Sequence, residues 1–541
     1  MTSTTTTPAA TPTTPTETVG ASRIGVENPF PVRGDMQAQA RGEGTAAAPD
    51  NQYGGCAIQV FDANTGAGNL GNTHADAQGF LSYVNQFDQI NFYFEDAGVK
   101  PWEYLPSTDD YQGFYGMDAV RVFYHSGHGA MASDGTFYAP MGAAWGGQDW
   151  AVSSSMSIGD QYLRYMFWST CESLEVLGGQ SPITTWNPVN KGLRMIFGFH
   201  STSVDSGDYG KNFFSEWGKG KSFSQAWQDA SLDISTNMIV SSAACGATQQ
   251  ECQDRLWNER LFYGDAGSNA WYWWRWAGNA PGSVARIANL EVPGGPTRMR
   301  LLRKRGDAEA FAELASRYGL CLDGQVPAGH GSLCAQGRGR KVIMAHDGTY
   351  EVAFGEPDRN ATLASHQDLR AAADRAIDRF GVAEGIELVY DRTTATYHAG
   401  GPVDDADISD PRVADVTVHY RQVIGGVPVV MGSHGHVRVT LDPTGAVTRL
   451  VDRTRPVGEA VPKNAVAEEI TDPEAELSAT TQALLRTLAA SGVLHDRVET
   501  VPNTTEVGYR LTSGMAELVA RREVDVVTGP VRKRHVVEAV L

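Results

Sequence analysis

Hydrophobic positions in the first half of the chain follow two rhythms. Short apolar runs at residues 56–61, 119–124, 165–168 and 193–199 are rich in β-branched and aromatic side chains. This is the composition of strands buried on both faces. Between the first two runs Ala77, Phe80, Leu81 and Val84 recur at i, i+3, i+4 and i+7, which predicts a helix with one buried stripe. Residues 213–217 and 223–227 predict two further helical segments around the loop 218–221, and residues 260–265 read as another strand and turn. Strands alternating with helices predict an α/β domain with a mostly parallel sheet covered on both faces. The tryptophans 271, 273, 274 and 276 are expected to pack that domain's edge.

The rhythm changes in the second half. Leu369, Ala373, Ala376, Ile377 and Phe380 mark an amphipathic helix, and alternating strands with tight turns follow. Residues 416–423 lead through Gly425-Gly426 into 427–430, and residues 437–441 lead through the turn 442–445 into 447–450; these are hairpin signals. An α+β domain of antiparallel hairpins and a helix is expected. The resulting division is a Thr/Pro-rich tail and irregular lead-in over 1–53, a first domain over 54–280, a Gly/Pro-punctuated linker over 281–345 with a helix at 308–318, and the α+β domain over 346–541.

Composition narrows the function classes. The formal net charge of −19 over 541 residues repels nucleic acid and anionic lipid over most of the surface. The basic run at 298–305 is read as a solvated linker or helix start. No stretch approaches the ~20 apolar residues of a membrane span, and no signal-peptide core is seen near the start, so a cytoplasmic address is expected. Six cysteines lack any Cys-x-x-Cys pair, so neither a disulfide scaffold nor a zinc site is expected. Cys245 with Cys252, and Cys321 with Cys334, could each close a short loop in an oxidising compartment, but reduced thiols are the default. His434 and His436 alternate on one strand and are read as an exposed pair.

Chemistry is concentrated at two strand ends. The run 119–124 ends in His125-Ser126-Gly127-His128-Gly129, and the run 165–168 ends in Ser169-Thr170-Cys171-Glu172-Ser173. A thiol becomes a strong nucleophile as its thiolate, and an imidazole within reach supplies the base. Cys171 is therefore the candidate nucleophile and His128 the general base and acid, with the amides of Gly129 and Cys171 as oxyanion donors. His125 is assigned to packing or support of the site; Glu172 could orient the imidazole or a substrate amine, and is read first as an exposed carboxylate. The 43 residues between His128 and Cys171 suit neighbouring parallel strands joined by one crossover helix.

These residues carry a resemblance. The His125–Gly129 pentapeptide resembles the metacaspase His-Tyr-Ser-Gly-His-Gly motif, and the segment around Cys171 resembles the Cys block of legumains and CHAT-domain peptidases. Residues 213–230 and 261–265 are similar to the helical segment and closing strand of CHAT-like domains. Residues 54–276 thus resemble the caspase, legumain and gingipain group of cysteine peptidases. The resemblance implies a caspase-like αβα sandwich with His128 and Cys171 as its dyad, no cofactor, and a peptide or protein substrate. Metacaspases carry an Asp where this chain has Ser169; an acidic specificity pocket would then come from Asp205 or Asp208.

The second half is similar, over 417–429 and 437–445, to the propeptide domain of fungalysin and thermolysin-type proteases, and residues 523–529 resemble the closing hairpin of the related PepSY module. No His-Glu-x-x-His is present. The resemblance implies a regulatory module acting on the same chain. The expected activity is cysteine-dependent peptide-bond hydrolysis through a thioester. An amide-forming acyl transferase or peptide ligase would use the same dyad, and a catalytically silent caspase-like scaffold is the third reading.

Overall fold

A computed structural model of the chain describes residues 27–30, 52–292, 294–322, 332–404, 408–430, 432–461, 472–489, 495–512 and 514–541. The expected tail lies outside the described residues, apart from residues 27–30 and the start of the first strand. The first half runs β1 (Tyr53–Ala57), α1 (Thr73–Val84), β2 (Phe92–Glu95), β3 (Val122–Ser126), β4 (Ala130–Met131), β5 (Phe137–Trp145), β6 (Gln148–Val152) and β7 (Tyr165–Ser169). It continues with α2 (Pro182–Trp186), β8 (Met195–Phe199), α3 (Tyr209–Trp217), α4 (Phe223–Leu232), β9 (Val240–Gly246), α5 (Gln249–Asn258) and β10 (Trp271–Asn279).

Strands β2, β1, β3, β7 and β8 lie side by side in that order, all parallel. Strict alternation along them builds two cores. Phe123, Trp168 and Ile196 point to one face, and Tyr124, Phe167 and Phe197 to the other. The second face is covered by the apolar stripes of α1, α3 and α4, including Phe80, Phe213 and Trp227. The first face is covered differently, by the antiparallel meander β4-β5-β6 and the short α2, through Phe137, Met141 and Trp186. The connection from β3 to β7 is therefore this meander, where a crossover helix was expected; Phe137, Ala139 and Met141 are buried on alternate positions, the period of a strand.

The second half comprises β11 (Arg298–Leu301), α6 (Ala308–Arg317), β12 (Leu333–Gly337), β13 (Arg340–Met344), β14 (Tyr350–Ala353), α7 (His366–Phe380), β15 (Leu388–Pro402), β16 (Arg412–Ile424), β17 (Val427–Pro428), β18 (His436–Leu441) and β19 (Val447–Asp452). The rest is β20 (Val457–Ala460), α8 (Pro473–Leu488), β21 (Arg497–Thr500), β22 (Glu506–Leu511), β23 (Met515–Thr528) and β24 (Val531–Val540). The expected hairpins are present as β16/β17 and β18/β19.

Three expectations are corrected. The first domain's mostly parallel strands do not form a sheet of their own: β9 and β10 turn antiparallel and β10 pairs with β15, which fuses both halves into one mixed, mostly antiparallel 15-stranded sheet. The Trp cluster lies on β10, inside that sheet and not at an edge, with Trp273, Trp274 and Trp276 buried. Residues 260–265 form no strand; Tyr165 Oη holds this loop instead, accepting from Tyr263 N at 3.1 Å and donating to Leu261 O at 3.2 Å.

The region 281–345 contributes β11, α6, β12 and β13. The basic run at 298–305 begins as β11, paired with β20 and β23 in a second, six-stranded sheet, and so is neither a linker nor a helix start. All six cysteines are free thiols. His436 is buried, and His434 meets Arg455 Nη2 at 2.9 Å, so they are not an exposed pair. Among the described residues no helix is long and apolar enough to cross a membrane.

Candidate active site

The register of the parallel strands brings the two expected residues together. Ser126 at the end of β3 pairs with Ser169 at the end of β7, and His128 and Cys171 each stand two residues further on. The next strand, β8, leads into the loop that carries Ser203. Strand β1 has β2 on one side and β3 on the other, so the chain reverses its direction of travel across the sheet here. Such a switch point opens a crevice at the carboxyl ends of the strands.

His128 is oriented by the loop after β1. Its Nε2 lies 2.9 Å from Gly68 O, which fixes that nitrogen as the N–H donor. Nδ1 is buried without a hydrogen-bond partner, although the Arg532 backbone borders the ring. The Phe61 ring packs against the imidazole at 4.9 Å between centroids. Burial, and then the Lys533 ammonium, push the His128 pKa down to about 3, so the ring is neutral near pH 7.

Cys171 Sγ accepts a hydrogen bond from Ser203 N at 3.2 Å and lies 3.4 Å from Ser203 Oγ. Gly129 runs so close to Cys171 that a Cβ there would stand 2.7 Å from Cys171 O and 2.6 Å from the Phe137 ring. Only glycine fits. The candidate oxyanion donors, the Gly129 and Cys171 amides, thus belong to backbones in contact.

The other expected residues have separate positions. His125 is buried, with Nδ1 2.7 Å from Tyr104 Oη and its ring 4.7 Å from that of Trp168; it packs beneath the site. Ser169 is buried at the end of β7. Glu172 is half-buried, at a φ of 55°, and its carboxylate accepts from Met131 N at 3.2 Å, so it holds the meander rather than standing free. Asp205 is committed to the loop after β1, accepting from Gly71 N at 2.9 Å and Asn72 N at 3.3 Å. Asp208 is exposed and pairs with Lys211 at 2.7 Å. Both carboxylates line a groove whose walls also carry Lys211, Lys219, Arg453 and Arg521.

Four residues of the site were not expected. Gly68 orients the base and Ser203 contacts the thiol. Asp76 on α1 accepts from Tyr124 Oη and Ser126 Oγ, both at 2.8 Å, and from Gly210 N at 2.9 Å, so it ties down the end of β3. Lys533 on β24 donates to Gly127 O at 3.2 Å and to Ser203 Oγ at 3.0 Å. Nothing local in the sequence marks Ser203 or Lys533; Asp76, a carboxylate beside the buried stripe of α1, was the one readable signal. Among the described residues no group of His, Cys, Asp and Glu is arranged to hold a metal.

A family model described as a domain of unknown function (DUF6345) matches residues 57–278. The match runs from the last residue of β1 to β10, takes in His128 and Cys171, and leaves β11 to β24 outside. No curated protein matches the chain.

Proposed function

We propose that the chain is a cysteine-dependent hydrolase of peptide bonds, with a caspase-like first domain. The observation that carries this reading is the equal offset of His128 and Cys171 beyond paired strand ends, with one imidazole nitrogen tied to a carbonyl and the other buried. In the proposed reaction His128 Nδ1 takes the thiol proton as Cys171 Sγ attacks the substrate carbonyl carbon. The Gly129 and Cys171 amides receive the oxyanion. His128 returns its proton to the leaving amine as the C–N bond breaks, and water then hydrolyses the thioester with His128 again as base. No cofactor enters these steps. The Gly68 carbonyl takes the orienting role that a third side chain has in a triad. The substrate is a peptide or protein, and the second half regulates its access.

The test is mass spectrometry of a diverse peptide mixture incubated with the protein. Products absent from the Cys171→Ala control are expected, and new junctions in place of new termini would identify a ligase or acyl transferase. Identical profiles from the two folded proteins would overturn the reading. The burial of both dyad residues favours one alternative, a silent scaffold, for which a Cys171 thiol as inert as Cys56 is expected even when the site is opened.

A further inference from the structure

Strand β24 lies across the mouth of the dyad. Arg534 N donates to Ser203 O at 3.2 Å, and Asp205 N donates to Arg534 O at 2.7 Å. These two bonds form a parallel bridge between Val204 and Arg534, so β24 adds to the loop after β8 as an extended peptide adds to a sheet edge. The flanking side chains are used alternately, as in any strand. Lys533 enters the site and is held between Gly127 O and Ser203 Oγ, the hydroxyl that touches Cys171. Arg534 points away, to Asp525 at 2.7 Å and Asn237 O at 2.7 Å.

The turn before β24 closes the other side. Thr528 Oγ1 accepts from Gly68 N at 2.9 Å, Gly529 abuts Gly66, and Val531 is buried in the same core as Phe61 and Leu70. Gly68 is the residue that orients His128. Cys171 is 0% exposed, His128 2% and Lys533 3%. A groove of about 1030 Å³ reaches Val204, Asp205 and Val536, yet neither His128 nor Cys171 is among its walls. Strand β24 lies between that groove and the dyad, on the side where Ser203 meets Cys171.

We propose that residues 532–535 are a tethered occupant of the substrate cleft: the hydrolase is latent in this form, and its substrates are extended peptides that place a lysine where Lys533 stands. The proposal rests on the hydrolase reading for its substrate half and stands without it for its occlusion half. Lys533 shows the fit, because an ammonium on that stem satisfies the buried Gly127 carbonyl and donates to the Ser203 hydroxyl that also meets Cys171 Sγ. The other edge of β24 is bound to β23 over ten register pairs, from Val519 with Val540 to Thr528 with Val531. The occupant is thereby retained in place.

The experiment uses the full chain and reads iodoacetamide labelling of each cysteine by peptide mapping. In the unaltered protein Cys171 should label far more slowly than the exposed Cys321. In Val531→Asp, where a carboxylate is forced into the core beneath the hairpin, Cys171 labelling should rise at least about tenfold, while Cys56 and Cys245 stay protected and report an intact fold. Should Cys245 also become labelled, Thr528→Val combined with Lys533→Ala opens the same contact without burying a charge.

Rapid Cys171 labelling in the unaltered protein, or no acceleration in an opened variant that keeps Cys245 protected, would overturn the occlusion. Peptide cleavage by the opened variant, with lysine enriched at one fixed position from the cut, is expected. Cleavage without that enrichment would overturn the lysine assignment, and fast labelling without any cleavage would overturn the hydrolase reading while leaving the occlusion standing.

Discussion

The second half of the chain meets the first at two places built on opposite principles. At the seam, β10 and β15 pair antiparallel over nine consecutive positions, from Trp271 with Pro402 to Asn279 with Thr394. Trp273 lies over Gly400, Trp276 stacks on Tyr397 at 5.5 Å, and the ladder runs without a break into both cores. Beside it, Arg438, Arg449 and Arg453 meet Glu216 on α3, Asp229 on α4 and Asp233 at the end of α4, next to a cavity of about 300 Å³. At the dyad, the contact is a set of separate bonds: two main-chain bonds, the Thr528 hydroxyl, buried Val531, Lys533, Arg534 on Asn237 O, Glu523 accepting from Ser235 and Asn237, and His535 beside Asp205. The seam is a shared sheet that separation would destroy; the hairpin contact is made of individual bonds and side chains, which local opening can break without parting that sheet. One module can therefore be a permanent part of the fold and a displaceable cover of the site.

The comparison breaks most readily at the seam. A Cβ at position 400 would stand 2.0 Å from Trp273 Cε3 and 2.5 Å from Tyr272 O. Gly400→Val should therefore cost about 3 kcal/mol or more, seen as a lower urea midpoint of the whole chain. An unchanged midpoint would mean that the two halves are held by something other than this ladder. Arg453→Met comes next. It leaves Glu216 and Asp233 each short of one cation at 2.8 and 2.6 Å, with an expected loss of about 2 to 4 kcal/mol by the same measurement.

At the hairpin the effect on stability should be smaller and local. Thr528→Val removes the acceptor of Gly68 N, worth about 1 kcal/mol. Hydrogen exchange should quicken at Gly68 and along β24 while Trp274 and Ala399 at the seam keep their protection; equal changes at both places would show that they open as one unit. The least pronounced contrast is with pH. Burial alone would raise the Asp229 carboxyl, but Lys221 and Arg449 hold it down at about 2. Its contribution is therefore complete above the unfolded value near 4 and is lost as the pH falls toward 2.

Glu103, beside Cys56 beneath the site, is pushed by burial up to about 8. The folded state then holds the extra proton, and stability falls as pH rises from about 4 toward 8. Glu103→Gln should flatten that decline in urea midpoints between pH 5 and 8 and leave the acid limb unchanged. A decline of the same slope in the variant would remove Glu103 as its source.

Much of the site was legible because its signals are local. Apolar runs with sharp polar ends mark β3 and β7, and glycines after His125 mark a chain that must turn against another backbone. What was misread lay in pairing. Residues 260–265 have strand composition, but Tyr165 offers their backbone side-chain partners that a ladder would otherwise supply. The meander was missed although Phe137, Ala139 and Met141 alternate, because the length between His and Cys suits a helix equally well. His436 looked exposed, since an alternating pair of histidines does not reveal a neighbouring layer that buries one of them.

By itself the sequence determined the strands β1, β3, β7 and β8, though not β2, β9 or β10, together with the stripes of α1 and α7, the hairpins of the second half, and the arrival of a His and a Cys at strand ends. Each follows from residue spacing along a single element, where backbone geometry alone sets which side chains share a face. Only the tertiary structure decided that β10 joins β15, that Gly68 orients His128, and that Lys533, 362 positions beyond Cys171, stands over the thiol. Those depend on which open edge and which loop meet after collapse, and a strand's pattern of apolar positions is the same whichever neighbour it finds.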